Sequence, residues 1–326
     1  MASDVKVKID LTKPVGRLGF GFPLILSIGA AKDYAECSTL EAVVTAGFEA
    51  STDTYKAAAL MFSQNHPPAK IAVAGAASAD TAVTTLTGIA SNGWRQLVIV
   101  GAQSTNYSSV ATYINTLPDK MLFCTVSDDS GLTDLGSGDK TVGFVHSNSL
   151  AAAALAGEAA GMDPGSFTYK NLILSGIDPM SLSDADIEDI HDANGITFIT
   201  KAGDNVTSEG KAMSGEYIDI IDAKDYIIQQ IEYATQKMLN TADKVPYDNN
   251  GIAMLESAAV NVMKDAYEKG IIATGEDGKP AYSVSYALRE ETDENDRAER
   301  KYFGGQFSFE LAGAVHYVEI TGEIII

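Results

Sequence analysis

The side chains best suited to chemistry are few in this chain and stand apart. Its histidines, His66, His146, His191 and His316, are well separated in sequence. His66 precedes a Pro-Pro pair, His191 falls on an acidic helical stretch, and the other two sit in strand patterns. No His-Glu-x-x-His run or His/Cys cluster supplies the ligand spacing of a zinc site. Asp184, Asp186, Asp189, His191 and Asp192 bring carboxylates and an imidazole into one stretch, but Ile187 and Ile190 share it. That is the pattern of a solvated helix face over inward-facing isoleucines. Cys37 and Cys124 are isolated, and read as buried free thiols rather than a disulfide pair.

A phosphate cradle is equally hard to find. The turns at Ala74-Gly75-Ala76-Ala77-Ser78 and Val100-Gly101-Ala102-Gln103 follow strand patterns but carry single glycines. Neither is the Gly-x-Gly-x-x-Gly turn that lets backbone approach a pyrophosphate, and no Gly-Lys-Ser/Thr loop occurs. A Gly-x-Ser-x-Gly nucleophile turn is also missing. Gly304-Gly305-Gln306 is the tripeptide used in peptide release, yet here it enters a strand with no basic RNA-binding context. We therefore assign no catalytic, cofactor-binding or metal-binding residues, expect no cofactor, and read the chain as non-enzymatic. The competing enzyme reading is an α/β protein that takes a nucleotide or small metabolite at the strand ends near Gly75 and Gly101.

The elements follow from hydrophobic periodicity. Ser38-Thr39-Leu40-Glu41 opens a short helix to Phe48, and a second runs over 52–65. Strands at 70–74, 96–100, 121–126 and 141–145 then alternate with helices at 80–91 and 108–117. Further strands are expected at 172–174 and 196–200, with an alanine-rich helix at 150–160 and an acidic one at 184–193. Residues 128–140 read as an exposed Gly/Ser/Asp loop. Such alternation predicts a mostly parallel α/β sheet. Beyond 202 the style changes. Asp222-Ala223-Lys224-Asp225 is expected to cap a helix to about Asn240, and a second runs from Gly251 to Gly270. Strands at 282–288, 307–311 and 315–324 close the chain. The division is thus an arm and hinge over 1–25, an α/β domain over 26–200, and a C-terminal α+β domain over 201–326.

Composition narrows the partners. With 326 residues, 45% hydrophobic and 21% charged, the chain is ordinary globular material. A net charge of −21 argues against nucleic acid and anionic membrane surfaces. The early apolar run Phe22–Leu26 is far too short to span a bilayer, and no leader pattern is read at the start, so the chain is expected to be made in a cytoplasm.

Both ends read as strands. Val5-Lys6-Val7-Lys8-Ile9-Asp10-Leu11 alternates strictly, as does Tyr317-Val318-Glu319-Ile320-Thr321-Gly322-Glu323-Ile324. An apolar-faced terminal strand must join some sheet, its own chain's or a neighbour's. Gly16, Gly19 and Gly21 follow the first arm as a flexible hinge.

Several segments, in order, carry a family resemblance. Ala151–Gly165, closing in Gly161-Met162-Asp163-Pro164-Gly165, resembles the end of the middle domain in contractile phage tail sheath proteins. Ser214-Gly215-Glu216-Tyr217-Ile218-Asp219 resembles that family's strand before its long helix, and Val245-Pro246-Tyr247 with Gly251-Ile252 its interhelical turn. Arg297-Ala298-Glu299-Arg300, then Phe307, Phe309 and Leu311-Ala312-Gly313-Ala314-Val315-His316, is similar to its closing hairpin. The resemblance implies a sheath subunit of a phage tail or injection system, polymerising as stacked six-fold rings around a tail tube. Its partners would be copies of itself, the tube protein, and baseplate and tail terminator proteins, in a virion tail assembled in host cytoplasm. It also implies intersubunit strand exchange, through Val5, Lys6, Val7, Lys8, Ile9 and Leu11 at one end and Val318, Glu319, Ile320, Glu323 and Ile324 at the other. Another self-assembling virion protein using the same strand swapping is the remaining alternative.

Overall fold

The computed structural model describes residues 20–101 and 107–319. Val5 to Leu11, Gly16, Gly19, Ile320, Glu323 and Ile324 therefore lie outside the described residues.

The chain runs β1 (Leu24–Ile28), β2 (Lys32–Cys37), α1 (Leu40–Thr45), α2 (Asp53–Phe62), β3 (Ile71–Ala76), α3 (Ala82–Ile89), β4 (Gln96–Val100), α4 (Tyr107–Ile114), β5 (Met121–Val126), β6 (Thr141–Val145) and α5 (Ala151–Ala160). It continues through α6 (Asp184–Asp192), β7 (Ile196–Lys201), β8 (Asp204–Thr207), α7 (Ile218–Thr241), α8 (Asn249–Glu268), β9 (Tyr282–Tyr286), α9 (Glu294–Ala298) and β10 (Gly305–Phe309). The first eight strands form one sheet, ordered β2-β3-β1-β4-β5-β6-β7-β8. β3, β1, β4, β5, β6 and β7 are parallel, while β2 and β8 run antiparallel on the two edges.

Burial on both faces explains why these strands are continuous apolar runs. Ile25, Val73, Val98, Phe123 and Val142 pack beneath α2 and α5, while Leu24, Leu26, Ala72, Leu97, Ile99 and Leu122 face Leu86, Val110, Ile114 and Ile190 on the opposite side. β1, β2 and β8 are strands the sequence reading does not expect: Phe22–Leu26 stands there only for its apolarity, yet Leu24, Ile25 and Leu26 are fully buried at the sheet centre. The alanines of α5 serve close packing, since a Cβ on Gly157 would stand 2.6 Å from the Met61 Cα of α2.

Several expectations are corrected. No strand forms at 172–174: Asn171 adopts a left-handed φ of 64°, and pairing with Thr207 stops at Leu172, through the Asn171 N–H (3.0 Å) and the Leu172 carbonyl (3.0 Å). The presumed exposed loop at 128–140 contains a 3-10 turn over Asp129–Leu135 that buries Leu132 and Leu135. Ser214–Asp219 makes one isolated bridge, Lys211 to Tyr217, instead of a strand. Asp222 and Asp225 cap nothing, since α7 begins at Ile218, after extended Tyr217, with Asp219 in its first turn favouring the helix dipole. Residues 312–319 carry no strand.

α7 and α8 form a helical hairpin. Ile227, Ile231, Ala259, Met263 and Ala266 are buried within it, and Tyr282, Val284, Tyr286, Phe307 and Phe309 of the small antiparallel β9–β10 sheet pack on that core. No helix among the described residues is long and apolar enough to cross a membrane.

One histidine makes the fold pH-sensitive. His146, buried after β6, accepts the Asn148 N–H at Nδ1 (2.9 Å), which leaves Nε2 to donate to the Asp178 carbonyl (2.8 Å). Burial pushes its pKa down, as it does for His191. Protonation at Nδ1 would break the Asn148 bond. The unfolded chain takes up these protons near pH 6.5 and the folded chain only below it, so stability is fully present above that pH and is lost as pH falls through the lowered folded values. The urea midpoint is expected to drop between pH 7.5 and 5.5, and His146→Gln is expected to flatten that slope.

Candidate functional site

The largest buried assembly of charge in the described residues lies where the eight-stranded sheet meets α7. Arg95 immediately precedes β4 and is 1% exposed. Its backbone is fixed by a bond from its N–H to the Phe22 carbonyl (2.9 Å) and one from Met121 N–H to its own carbonyl (2.9 Å). Its guanidinium donates to Asp222 Oδ1 (2.5 Å), Asp225 Oδ2 (3.0 Å) and the Asp119 carbonyl (3.2 Å). Lys140, just before β6, also pairs with Asp225, and the Tyr169 hydroxyl donates to Asp222 Oδ2 (2.8 Å). Two cations therefore meet two carboxylates, and the cluster is neutral.

Asp222 and Asp225 are three residues apart, so they share one face of α7 and meet both cations. Burial works against the charge on Arg95, but the two carboxylates outweigh it and hold its pKa above the ordinary value. For Lys140 burial wins, and its pKa is lowered despite Asp225. Burial and the Asp222 charge together push the Tyr169 phenol well up. These groups are structural cations and a structural donor. They also sit at the amino ends of the parallel strands, whereas doubly wound sheets bind ligands at the carboxyl ends.

The seam extends beyond the charges. The Phe20 ring lies 3.9 Å from the Arg95 guanidinium and meets Tyr226 edge-on at 5.7 Å. Gly165, with φ +74°, lets the loop after α5 touch α7, since a Cβ there would stand 2.6 Å from that of Ala223. Lys269, following α8, reaches Asp163 at 2.9 Å. Gly21 belongs to the same seam: its φ is +109° and a Cβ would lie 2.7 Å from that of Arg95.

At the carboxyl ends, Gly75 is explained by close approach of chain, since a Cβ would meet the Ala30 carbonyl at 2.2 Å and Lys32 at 2.9 Å. Gly101 is similarly close to the Ile28 carbonyl, at 2.9 Å. Among the described residues no group of three or more His, Cys, Asp or Glu is placed to hold a metal ion. On α6, Asp186 and Ser183 form a capping box and His191 meets the Ser208 hydroxyl at 2.9 Å.

The second candidate is the β9–β10 sheet. Bonds from Ala287 N–H to Gly304 O and from Glu310 N–H to Ala281 O set the phase of the ladder. Every second pair is bonded, so the backbone groups of Val284 and Tyr286 point off one edge and those of Phe307 and Phe309 off the other. No third strand pairs with this sheet among the described residues. Gly304 and Gly305 have a local purpose. A Cβ on Gly304 would lie 2.7 Å from the Tyr302 hydroxyl, and one on Gly305 would lie 2.9 Å from the Tyr286 ring, which stacks on Tyr302 at 5.8 Å. Of the residues assigned to strand exchange, Val318 and Glu319 are described, and both are exposed on the irregular segment beyond β10.

Arg95→Met would leave Asp222 with the Tyr169 hydroxyl but no cation and Asp225 with Lys140 alone, and breaking one partner of a buried pair costs about 3–5 kcal/mol. Chemical denaturation is expected to show that loss, partly recovered by adding Asp222→Asn. Lys264→Ala, at the exposed pair with Glu268, is expected to leave the midpoint in place.

Comparison with known proteins places this geometry. Residues 218–324 match the family described as E217 tail sheath protein gp31-like, C-terminal domain, and the match begins at the first residue of α7. Sequence comparison finds no match among curated proteins. The solved structure titled the anti-feeding prophage helical sheath in contracted state aligns with TM-score 0.74 at 12% identity, over 98% of this chain and 98% of that one. The contracted sheath of an extracellular contractile injection system aligns at 0.71 and 9% identity, over 99% and 98%. A sheath tail protein from Listeria innocua aligns at 0.60 and 9%, over 91% and 97%. At such identities the structural likeness speaks to fold. The chain thus resembles contractile tail sheath proteins, in a match of residues 218–324 to a tail sheath C-terminal domain and in a fold shared along nearly its whole length.

Proposed function

We propose that this chain is the structural subunit of a contractile tail sheath, polymerising around a tail tube and contracting to drive the tube through a target envelope. The observation that carries this reading is the two-edged β9–β10 sheet inside a region that matches a tail sheath C-terminal domain. Strand addition to such an edge supplies directed backbone bonds, each contributing on the order of 1 kcal/mol net. A contact between an arm on one copy and an edge on the next is heterologous, so it generates rings or helices rather than closed dimers.

In this proposal Val5, Val7 and Ile9 of one neighbour and Val318, Ile320 and Ile324 of another lay apolar faces beside Val284 or Phe307. Lys6 and Lys8 of one arm meet Glu319 or Glu323 of another. Gly16 and Gly19 form the pivot, and Gly21, wedged against Arg95, is its fixed end. The partners are copies of this chain, a tube protein, and baseplate and terminator proteins, on a phage or an injection particle. The role asks for no cofactor and no catalysis.

Deleting residues 1–12 is expected to leave a soluble, folded chain that forms no cylinders under the electron microscope, where the full chain forms hollow striated ones. Normal cylinders from the truncated chain would contradict the proposal.

A further inference from the structure

Beyond β10 the chain bonds Ala312 N–H to the Ile271 carbonyl (2.9 Å) and then runs irregularly. Val315, Tyr317 and Val318 are 78%, 81% and 68% exposed. His316 is the exception, the only residue of 312–319 that is not exposed. Its side chain crosses to the eight-stranded body. Nε2 lies 2.8 Å from the Thr168 hydroxyl, and the ring stands edge-on to Tyr217 at a centroid distance of 4.8 Å. Nδ1 is 3.3 Å from Glu209 Oε1 and makes no aligned hydrogen bond there.

The socket is built before the imidazole arrives. Burial opposes the charge on Glu209, but the Gly210 amide and Lys170, at 3.1 Å, outweigh it and hold its carboxyl below the usual range. Asp219, in the first turn of α7, is pushed up by burial and keeps one carboxylate oxygen without a partner close to the imidazole. Lys170 and Lys201 also feel the Glu209 charge, and His191 feels all three together with Lys211. The imidazole brings a ring nitrogen to the Thr168 hydroxyl and an edge to Tyr217, where a purely apolar side chain would offer the hydroxyl no side-chain partner.

We propose that His316, seated between Thr168, Glu209 and Tyr217, is the fixed root of the C-terminal arm, so that only residues 317–326 swing out to a second copy of this chain. His316 is a positioning residue: it touches no partner and sets where the arm departs. Once the arm is extended on a neighbour's sheet, alternation would put His316 in phase with Val318, Ile320 and Ile324, so pinning the imidazole would set which face those residues present. As an extended strand the free segment reaches roughly 33 Å, which bounds the distance to the neighbour's sheet. This inference rests on the sheath reading above.

The test uses the full chain with a spin label on Ala314→Cys at the root or Glu323→Cys at the tip. Both native thiols are buried, at 1% exposure, and stay unlabelled. The root label is expected to be immobile and the tip label mobile. His316→Ala is expected to give the root the mobility of the tip and to raise several-fold the concentration needed for regular cylinders. His316→Gln, which keeps a donor and an acceptor, is expected to restore both towards wild type. Equal root mobility in wild type and His316→Ala would overturn the proposal, and so would a freed root with unchanged assembly. Two further outcomes separate the readings: no cylinders from the full chain would overturn the sheath reading, whereas normal cylinders from a chain lacking 317–326 would overturn the arm proposal alone.

Discussion

The position of α7 relative to the sheet depends on one buried exchange of charge. Arg95 and Lys140 project from the starts of two parallel strands, and Asp222 and Asp225 answer them from a single face of α7. Such a cluster is expensive to desolvate and is favourable only when complete. Charge balance, the hydrogen bond from Tyr169 and the carbonyl of Asp119 offset most of that cost here, with the Arg95 Nε left without a partner. Its value lies in geometry more than in net stability. Apolar faces could slide along one another, but a guanidinium between two carboxylates holds one arrangement.

That rigidity determines where the molecule is open to others. The seam gathers Phe20, Gly21, Gly165 and Lys269 around the charges, so the β9–β10 sheet is presented by a braced support. The small sheet packs on the α7–α8 core, and the segment after β10 returns to the large body through His316. In the proposed sheath, force passes through backbone bonds between copies, and the braced seam keeps it from being spent on bending a single subunit.

The alternating strands and helices of the large sheet were legible in sequence because their period changes cleanly. The bounds of β4, β5 and β6 follow directly from the apolar runs at 96–100, 121–126 and 141–145. β1 was passed over because an apolar run so near an expected arm reads as a linker, and only its neighbours on both sides show it to be central. The seam was misread for a related reason. Asp-x-x-Asp near the start of a helix is a good cap pattern, and what makes it interior is Arg95, more than a hundred residues earlier, with no local mark of its own. The Gly304-Gly305 pair carries no local sign of its packing role, because the tyrosine stack beside it involves Tyr286 across the hairpin. The residues assigned to strand exchange came from alternation and family resemblance together, and most lie outside the described residues.

The most direct test of the central claim is electron cryomicroscopy of the full chain assembled, tracing the β9–β10 sheet. The account predicts a sheet of more than two strands, its added strands continuous with the terminal arms of other copies and the Arg95 seam intact in every subunit. A sheet that stays two-stranded in the assembly, or arms that fold back on their own subunit, would contradict it.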